Sequence, residues 1–150
     1  PLDYDLVLRM KQQFPELHLS VNGGITSLDQ AQGFLDAGLD GVMIGRAAYH
    51  DPAAILAAAD PLIFGTGTAR DAADIVHEMI PYIAAHLQNG GKLHQVTRHM
   101  LGLFSGRPGA RAWRRMLSEG THRPGAGPDL VLAALAQVSP SPPAPAACAG

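Results

Sequence analysis

Two short glycine-containing segments carry the residue types that hold a phosphate group. Asn22-Gly23-Gly24 follows one apolar segment, and Gly45-Arg46 follows another about twenty residues later. Glycines allow the backbone to approach an anion closely, and an arginine offers a fork of N–H donors that matches a phosphate. A single double glycine would be better explained as a tight turn. The two segments together, at this spacing and with an arginine, favour a site for a phosphate-bearing ligand.

A second group of candidate residues is basic. Residues 92–123 hold seven of the eleven Lys and Arg residues and one acid, Glu119, although the whole chain has a net charge of -2. Four residues in this segment recur at the spacing of one helix face: Arg111, Arg114, Arg115 and Ser118. Trp113 falls on the opposite side and is predicted to anchor that helix in the core. Arg98 lies on the polar side of the preceding predicted helix.

The basic segment has two possible explanations. A solvated basic face is the simpler explanation of any one arginine. So large a local excess of positive charge instead favours a nucleic-acid surface, with salt-dependent contacts to phosphates. Lys92 and Arg123, at the two ends of the segment, are interpreted as ordinary surface charge.

Other chemistry finds little support in the sequence. His94 and His99 are five residues apart, a spacing that suits a zinc site poorly, so no metal site is predicted. The single cysteine, Cys148, excludes an internal disulfide and lies in an Ala/Pro-rich segment that offers nothing to activate a thiol. The sequence contains neither a Ser-His-Asp arrangement nor a phosphate-binding loop of the Walker type.

The elements that must position these residues follow an alternating order. Residues 1–60 predict a helix ended by Phe14-Pro15, a strand over 17–21, a helix from Ser27 to Gly38, a strand over 41–45 and a helix over 52–59. Parallel strands alternating with helices are typical of α/β folds, and such folds bind ligands at the carboxyl ends of their strands. Two strands cannot cover their own faces. We therefore expect them to be the end of a larger α/β structure, at the seventh and eighth strands if it is a TIM barrel.

The remainder of the chain is predicted to be helical. Helices are expected over 71–88 with a kink at Pro81, and over 92–104, 110–118 and 129–137. The expected domains are residues 1–66, 67–138 and a disordered Ala/Pro tail over 139–150. No apolar run is long enough to span a membrane, and no signal peptide opens the chain, so a cytoplasmic protein is expected. Because the chain starts at Pro1 without a Met, we expect it to be a piece of a longer protein.

Five segments together match a known family pattern: PLDYD at residues 1–5, NGGI at 22–25, DGVMIGR at 40–46, TRHMLGLF at 97–104 and PGARAWRR at 108–115. They resemble the C-terminal half of the tRNA-dihydrouridine synthases of the A subfamily. The resemblance covers roughly residues 1–120. Its last two segments are the most specific, because Asn-Gly-Gly loops occur in many flavin-binding barrels.

The resemblance implies a fold and a set of binding residues. The fold is α/β, with the last two βα units of an FMN-binding TIM barrel followed by an all-α helical-bundle domain that binds tRNA. The positions that hold the phosphate end of FMN are matched by Asn22, Gly23, Gly24, Gly45 and Arg46. Arg111 and Arg114 match arginines that help to orient tRNA. Arg98 and Arg115 join the predicted tRNA-binding set because of their place in the basic segment.

The resemblance also implies a reaction. The family reduces the C5–C6 double bond of a uridine in the tRNA D-loop with NADPH. Reduced FMN delivers hydride to C6 and a cysteine protonates C5, after the base has left its stack. That cysteine, a flavin-contacting lysine and histidine, and six barrel strands are expected upstream. No catalytic residue is therefore assigned in this chain, which alone is predicted to be inactive and monomeric, with tRNA and NADPH as partners.

Two other interpretations stay open at the level of sequence. The chain could be the end of another phosphate-binding barrel, such as a different flavin oxidoreductase, but this leaves the basic segment unexplained. It could also be a stand-alone helical RNA-binding module, but this leaves the two glycine segments unexplained.

Overall fold

The computed structural model describes residues 2–140, which form two compact units. The first extends to Ala72 and the second begins at Ala73. The predicted domain limits, at 66/67 and 138/139, stay a prediction. Most of the predicted tail, residues 141–150 with Cys148, lies outside the described residues.

The first unit alternates helices with two strands, as predicted. Its elements are α1 (Tyr4–Gln13), β1 (Ser20–Asn22), α2 (Leu28–Asp36), β2 (Gly41–Met43), α3 (Arg46–His50) and α4 (Pro52–Ile63). The strands are parallel neighbours, with Ser20 opposite Gly41, Val21 opposite Val42 and Asn22 opposite Met43. Parallel pairing in this register brings the carboxyl ends of both strands to one edge.

Three details of the first unit differ from the prediction. The strand expected over 17–21 begins later, at Ser20, because the backbone of Leu19 bonds to Asp40 in the loop before β2: its N–H donates to the carboxylate and its carbonyl accepts from the Asp40 N–H. The strand expected over 41–45 ends at Met43. The short helix α3 follows it and was not predicted.

Helix α2 starts at the N-cap that its sequence indicates. The Ser27 hydroxyl accepts the N–H of Gln30 at 3.1 Å. The Gln30 side chain returns to the N–H of Thr26 rather than that of Ser27, also at 3.1 Å. Two backbone donors at the start of the helix are therefore satisfied, which fixes where the segment after β1 turns into α2.

The core of the first unit lies under the parallel pair. Val21, Ile25 and Leu39 are buried there, and Tyr4 and Val7 of α1 are among the residues that pack against them. Asp40 ties α1 to the start of β2, since Lys11 Nζ lies 2.8 Å from its carboxylate. The hydrogen bond from Lys11, reinforced by the N–H of Leu19, lowers the pKa of Asp40. This contribution to stability is complete above the ordinary pKa of the carboxyl group and is lost as the pH falls through the lowered value.

The second unit is helical in the described residues, with α5 (Ala72–Gln88) starting at the unit boundary, followed by α6 (Leu93–Thr97), α7 (Ala110–Gly120) and α8 (Pro128–Leu135). The helix predicted over 92–104 is wrong in its second half, where a series of turns replaces it. The N–H groups of Met100 and Leu103 each donate to the carbonyl three residues earlier. The indole N–H of Trp113 donates a hydrogen bond of 3.1 Å to the carbonyl of Met100. This bond links the turns to α7.

Trp113 is in the core, as predicted. It is 0% exposed, and the Phe104 ring meets it edge-on with centroids 4.9 Å apart. Met100, Leu103 and Leu117 are buried as well. No helix within residues 2–140 has the length and apolar character needed to cross a bilayer.

Candidate functional site

One cavity in the first unit gathers the residues that follow the two strands. It has a volume of about 570 Å³ and lies at the carboxyl ends of β1 and β2. All five residues predicted to hold a phosphate line it: Asn22, Gly23, Gly24, Gly45 and Arg46. The structure therefore brings together two segments that are about twenty residues apart in sequence.

The loop after β1 has a backbone that requires glycine. Gly24 has a φ of 64°, and a Cβ built there would meet the Tyr4 hydroxyl at 2.9 Å and Leu2 at 3.0 Å. The same hydroxyl donates a hydrogen bond of 2.6 Å to the carbonyl of Gly23. The Tyr4 ring in turn packs on Phe34 of α2, with centroids 5.0 Å apart. Side chains from α1 and α2 thus fix the loop in position.

The loop after β2 presents an arginine and an open backbone. Gly45 is the N-cap of α3 and supplies no side-chain cap, and a Cβ at this position would contact nothing within 4 Å. Arg46 is the first residue of α3 and is exposed. Within residues 2–140 its guanidinium takes part in no hydrogen bond or ion pair. Its donors are available to an anion in the cavity.

Sequence reasoning missed three side chains of this cavity. Thr26, Met43 and His50 also line it. Thr26 and Met43 lie within a few residues of the glycine segments, so their position next to the strand ends was an available signal. His50 lies four residues after Arg46 and reaches the cavity because the intervening residues form α3. Without that helix in the prediction, nothing in the sequence placed His50 beside the arginine.

The arginines of the basic segment lie on an exposed helix face. All four predicted residues of the stripe on α7 are exposed: Arg111, Arg114, Arg115 and Ser118. Trp113 and Leu117 anchor the other side and are 0% and 1% exposed. Among the described residues, no acidic group pairs with these three arginines. The helix therefore presents an unneutralised row of positive charge.

Arg98 and Arg107 have neighbours of their own. Arg98 is the C-cap of α6, at the start of the turns rather than inside a helix, and its Nε donates to His99 Nε2 at 2.9 Å. The Arg107 guanidinium lies 5.3 Å from the centre of the Phe104 ring and donates to the carbonyl of Ser139. Arg107 thus has a structural role, whereas Arg98 is exposed in the segment that leads toward α7.

The chain also matches known proteins along almost its whole length. The sequence model of the family described as Dihydrouridine synthase (Dus) matches residues 1–139. The chain belongs to the dihydrouridine synthase family. This confirms the resemblance that the segments NGGI, DGVMIGR and PGARAWRR indicated.

Three relatives with the same name illustrate the similarity. The chain is 54% identical over 134 residues to the tRNA-dihydrouridine(20/20a) synthase of Shewanella oneidensis. The aligned region covers 87% of this chain and 39% of the relative. It is 50% identical over 139 residues to the protein of that name from Vibrio cholerae, which covers 92% of the chain and 42% of the relative. The chain is 53% identical over 127 residues to the protein of that name from Escherichia coli K12, and this region covers 84% of the chain and 36% of the relative. The chain spans about two fifths of the length of these relatives.

Metal chemistry has no support in the described residues. No group of three or more His, Cys, Asp and Glu residues within 2–140 could hold a metal ion. The polar side chains that line the cavity at the strand ends are the Asn22 amide, the Thr26 hydroxyl, the Arg46 guanidinium and the His50 imidazole.

Proposed function

We propose that this chain supplies two parts of a tRNA-dihydrouridine synthase: the loops that hold the phosphate end of FMN, and a helical surface that contacts tRNA. The enzyme would reduce a uridine of the tRNA D-loop to 5,6-dihydrouridine with NADPH. The observation that carries the proposal is the cavity at the ends of β1 and β2. There, Asn22, Gly23, Gly24, Gly45 and Arg46 line one space of about 570 Å³.

The donor set fits the phosphate end of a flavin nucleotide. Arg46 offers a guanidinium fork, Asn22 offers an amide, and the glycine loops allow close approach to the backbone. The space beside Gly45 is open in the described structure, so an anion can reach this part of the chain. No residue lining the cavity is acidic, so nothing there repels an anion.

FMN reduced by NADPH would supply the hydride for the C5–C6 double bond of the uracil. The residues of this chain would bind and orient rather than react. Arg46 and the two loops would fix the phosphate, and Tyr4 would keep the Gly23 loop in its shape. Cys148 is not assigned as the acid, which is expected elsewhere in the enzyme.

The exposed arginines support the second part of the proposal. Arg111 and Arg114 would contact tRNA phosphates, and Arg98 and Arg115 would extend that surface. Arg111, Arg114 and Arg115 lie on the exposed face of α7, opposite the buried side chains of Trp113 and Leu117. The finer fold is part of the same proposal: two βα units of a TIM barrel, followed by a helical-bundle domain.

Membership of the dihydrouridine synthase family argues against the other two interpretations. The family match extends across both the glycine loops and the basic segment. The end of an unrelated barrel explains only the loops, and a stand-alone RNA-binding module explains only the arginines. One function accounts for both.

A chimeric enzyme tests the proposal. In it, the 134 matched residues of the Shewanella oneidensis protein are replaced by the corresponding residues of this chain. We expect the purified chimera to contain FMN and to form dihydrouridine in tRNA, measured by mass spectrometry of digested tRNA. A folded chimera that loses FMN or forms no dihydrouridine, while the parent enzyme is active in the same assay, would refute the proposal.

A further inference from the structure

A second cavity lies wholly within the second unit. It has a volume of about 580 Å³ and is lined by residues at the start of α6 and by the segment that follows α7. None of the predicted cofactor-binding or tRNA-binding residues lines it. Lys92 and Arg123, interpreted from the sequence as ordinary surface charge, lie at this same cavity.

The ionisable groups of the cavity are all basic. Besides Lys92 and Arg123, they are the imidazoles of His94 and His122. The acids nearest in sequence are Glu119 and Asp129, and neither lines the cavity. Residues 124–127, which contain two glycines, form part of the wall and bring backbone close to the open space.

The two imidazoles are held against each other. The rings of His94 and His122 stack with centroids 4.7 Å apart and planes 27° from parallel. Partial removal from water lowers the pKa of His94, and the positive charges of His122, Lys92 and Arg98 lower it further. On α5, His86 is bonded to Gln95 at 2.9 Å and does not line the cavity. The charged neighbours of His94 are therefore all positive, an arrangement that an anion would stabilise.

We propose that this cavity binds a phosphate group, held by Lys92, Arg123 and the stacked imidazoles of His94 and His122. This inference goes beyond the proposed function, because it assigns a separate site to residues outside the arginine stripe of α7. The phosphate can belong to an RNA phosphodiester or to free inorganic phosphate. Both present the same anionic oxygens to the four basic groups.

Phosphate binding at this site depends on pH in a defined direction. The pKa of His94 is lowered by its surroundings, and a negative charge bound beside it favours the protonated imidazole and raises that pKa. Binding therefore takes up protons, and the affinity increases as the pH falls through the histidine range. If binding raises the pKa of one imidazole by one unit, the affinity is about tenfold higher well below the pKa than well above it.

The dinucleotide UpU is the first probe, because its phosphodiester keeps one negative charge at both pH values. The full chain is titrated with UpU at about pH 6 and about pH 8, on either side of the usual histidine pKa, while imidazole signals are followed by NMR. We expect saturable shifts of His94 and His122, with His77 unaffected and an affinity about tenfold higher at the lower pH. Sodium chloride of equal ionic strength is the control for screening. Shifts that the chloride reproduces, or no shifts with either UpU or inorganic phosphate, would overturn the inference.

Inorganic phosphate, titrated at about pH 6, distinguishes the two sources. Tighter binding of UpU identifies an RNA phosphodiester, and tighter binding of inorganic phosphate identifies the free ion. Both outcomes support a phosphate site. The substitutions R111Q and R114Q should leave the UpU response of His94 unchanged, so failure of the proposed tRNA surface would not be confused with failure of this site.

Two substitutions separate the roles of the basic groups. His94→Gln should reduce the affinity ratio between the two pH values toward one, because it removes the imidazole whose pKa a bound anion raises. Arg123→Gln should weaken binding about tenfold at both pH values, because its charge does not titrate. His77→Gln, an exposed histidine of α5, is the matched control. A full pH dependence in the folded His94 variant would contradict the assignment.

Discussion

The hydroxyl of Tyr4 donates a 2.6 Å hydrogen bond to the carbonyl of Gly23, nineteen residues later in the chain. The bond joins α1 to the loop after β1, which lines the cavity at the carboxyl ends of the two strands. The same hydroxyl fills the space that a Cβ on Gly24 would need. The loop therefore depends on a side chain from a helix that contributes no residue to the cavity lining.

Tyr4→Phe tests this dependence. The substitution retains the contact of the ring with Phe34 and removes the donor to Gly23. Because a hydrogen bond of this kind contributes about 0.5–1.5 kcal/mol, we expect the FMN dissociation constant of the chimera to rise about two- to tenfold. Flavin fluorescence measures it. Tyr82→Phe is the control, since the Tyr82 hydroxyl forms no hydrogen bond within residues 2–140. Equal effects of the two substitutions would show that the bond to Gly23 is not what holds the loop.

Arg46→Gln tests the assignment of the phosphate end. A charge-assisted hydrogen bond contributes about 1.5–3 kcal/mol, so we expect the chimera to lose about ten- to one-hundredfold in affinity for FMN. Riboflavin lacks the phosphate and should bind the variant and the unsubstituted chimera equally. Isothermal titration with both ligands measures the difference. Arg9→Gln, on the exposed surface of α1, is the charge-matched control. A parallel loss of riboflavin binding would place Arg46 away from the phosphate.

The sequence correctly predicted the elements whose signals lie within a few residues of one another. Ser27 with Gln30 located the start of α2, and the apolar spacing around Trp113 located α7 and its buried face. The apolar periodicity wrongly predicted a helix over residues 98–104. Successive turns place Met100 and Leu103 in the core at the same spacing as a helix would. Within these turns the carbonyl of Met100 accepts a hydrogen bond from the indole of Trp113, thirteen residues later in the chain. A single-segment pattern contains no information on such a contact.

The residues of the candidate sites also differ in whether neighbours in the sequence or the fold brings them together. The five residues at the strand ends were found because strand, glycine and arginine follow one another directly in sequence. His50 was missed because α3 was not predicted. The stacking of His94 on His122 joins residues 28 positions apart, on either side of α7. This contact forms only when the second unit folds. The charge composition of the sequence does not reveal it, so Lys92 and Arg123 were interpreted as ordinary surface charge.

Gly109→Ala should destabilise the second unit strongly. Gly109 has a φ of 91°, and a Cβ there would overlap the backbone carbonyl of Gln137 and lie 2.7 Å from Val138 Cα. Neither contact is with a flexible side chain, so the backbone after α8 must shift. Gly106→Ala is the matched control, since Gly106 has a φ of 76° and open space around it. We expect a loss of about 1–2 kcal/mol for the control and at least about 2 kcal/mol more for Gly109→Ala.

The fluorescence of the single tryptophan, Trp113, reports this unfolding, because the residue is 0% exposed in the folded state. Urea titrations of both variants give the difference in the free energy of unfolding. Equal losses for the two alanine variants would mean that the segment after α8 does not rest against Gly109 in solution.

The tRNA surface is tested most sharply by the salt dependence of binding. Each arginine that neutralises a phosphate releases counterions, and this contributes about 0.9 to the slope of log affinity against log salt on duplex nucleic acid. Replacing both Arg111 and Arg114 by Gln should weaken tRNA binding by the chain and lower the slope by up to about 1.8. Fluorescence anisotropy with labelled tRNA at several salt concentrations measures both quantities. Arg9→Gln changes one exposed charge outside α7 and should leave the slope unchanged. A slope that stays the same in the double variant would mean that the exposed face of α7 does not meet the tRNA backbone, and that its positive charge is only a solvated surface.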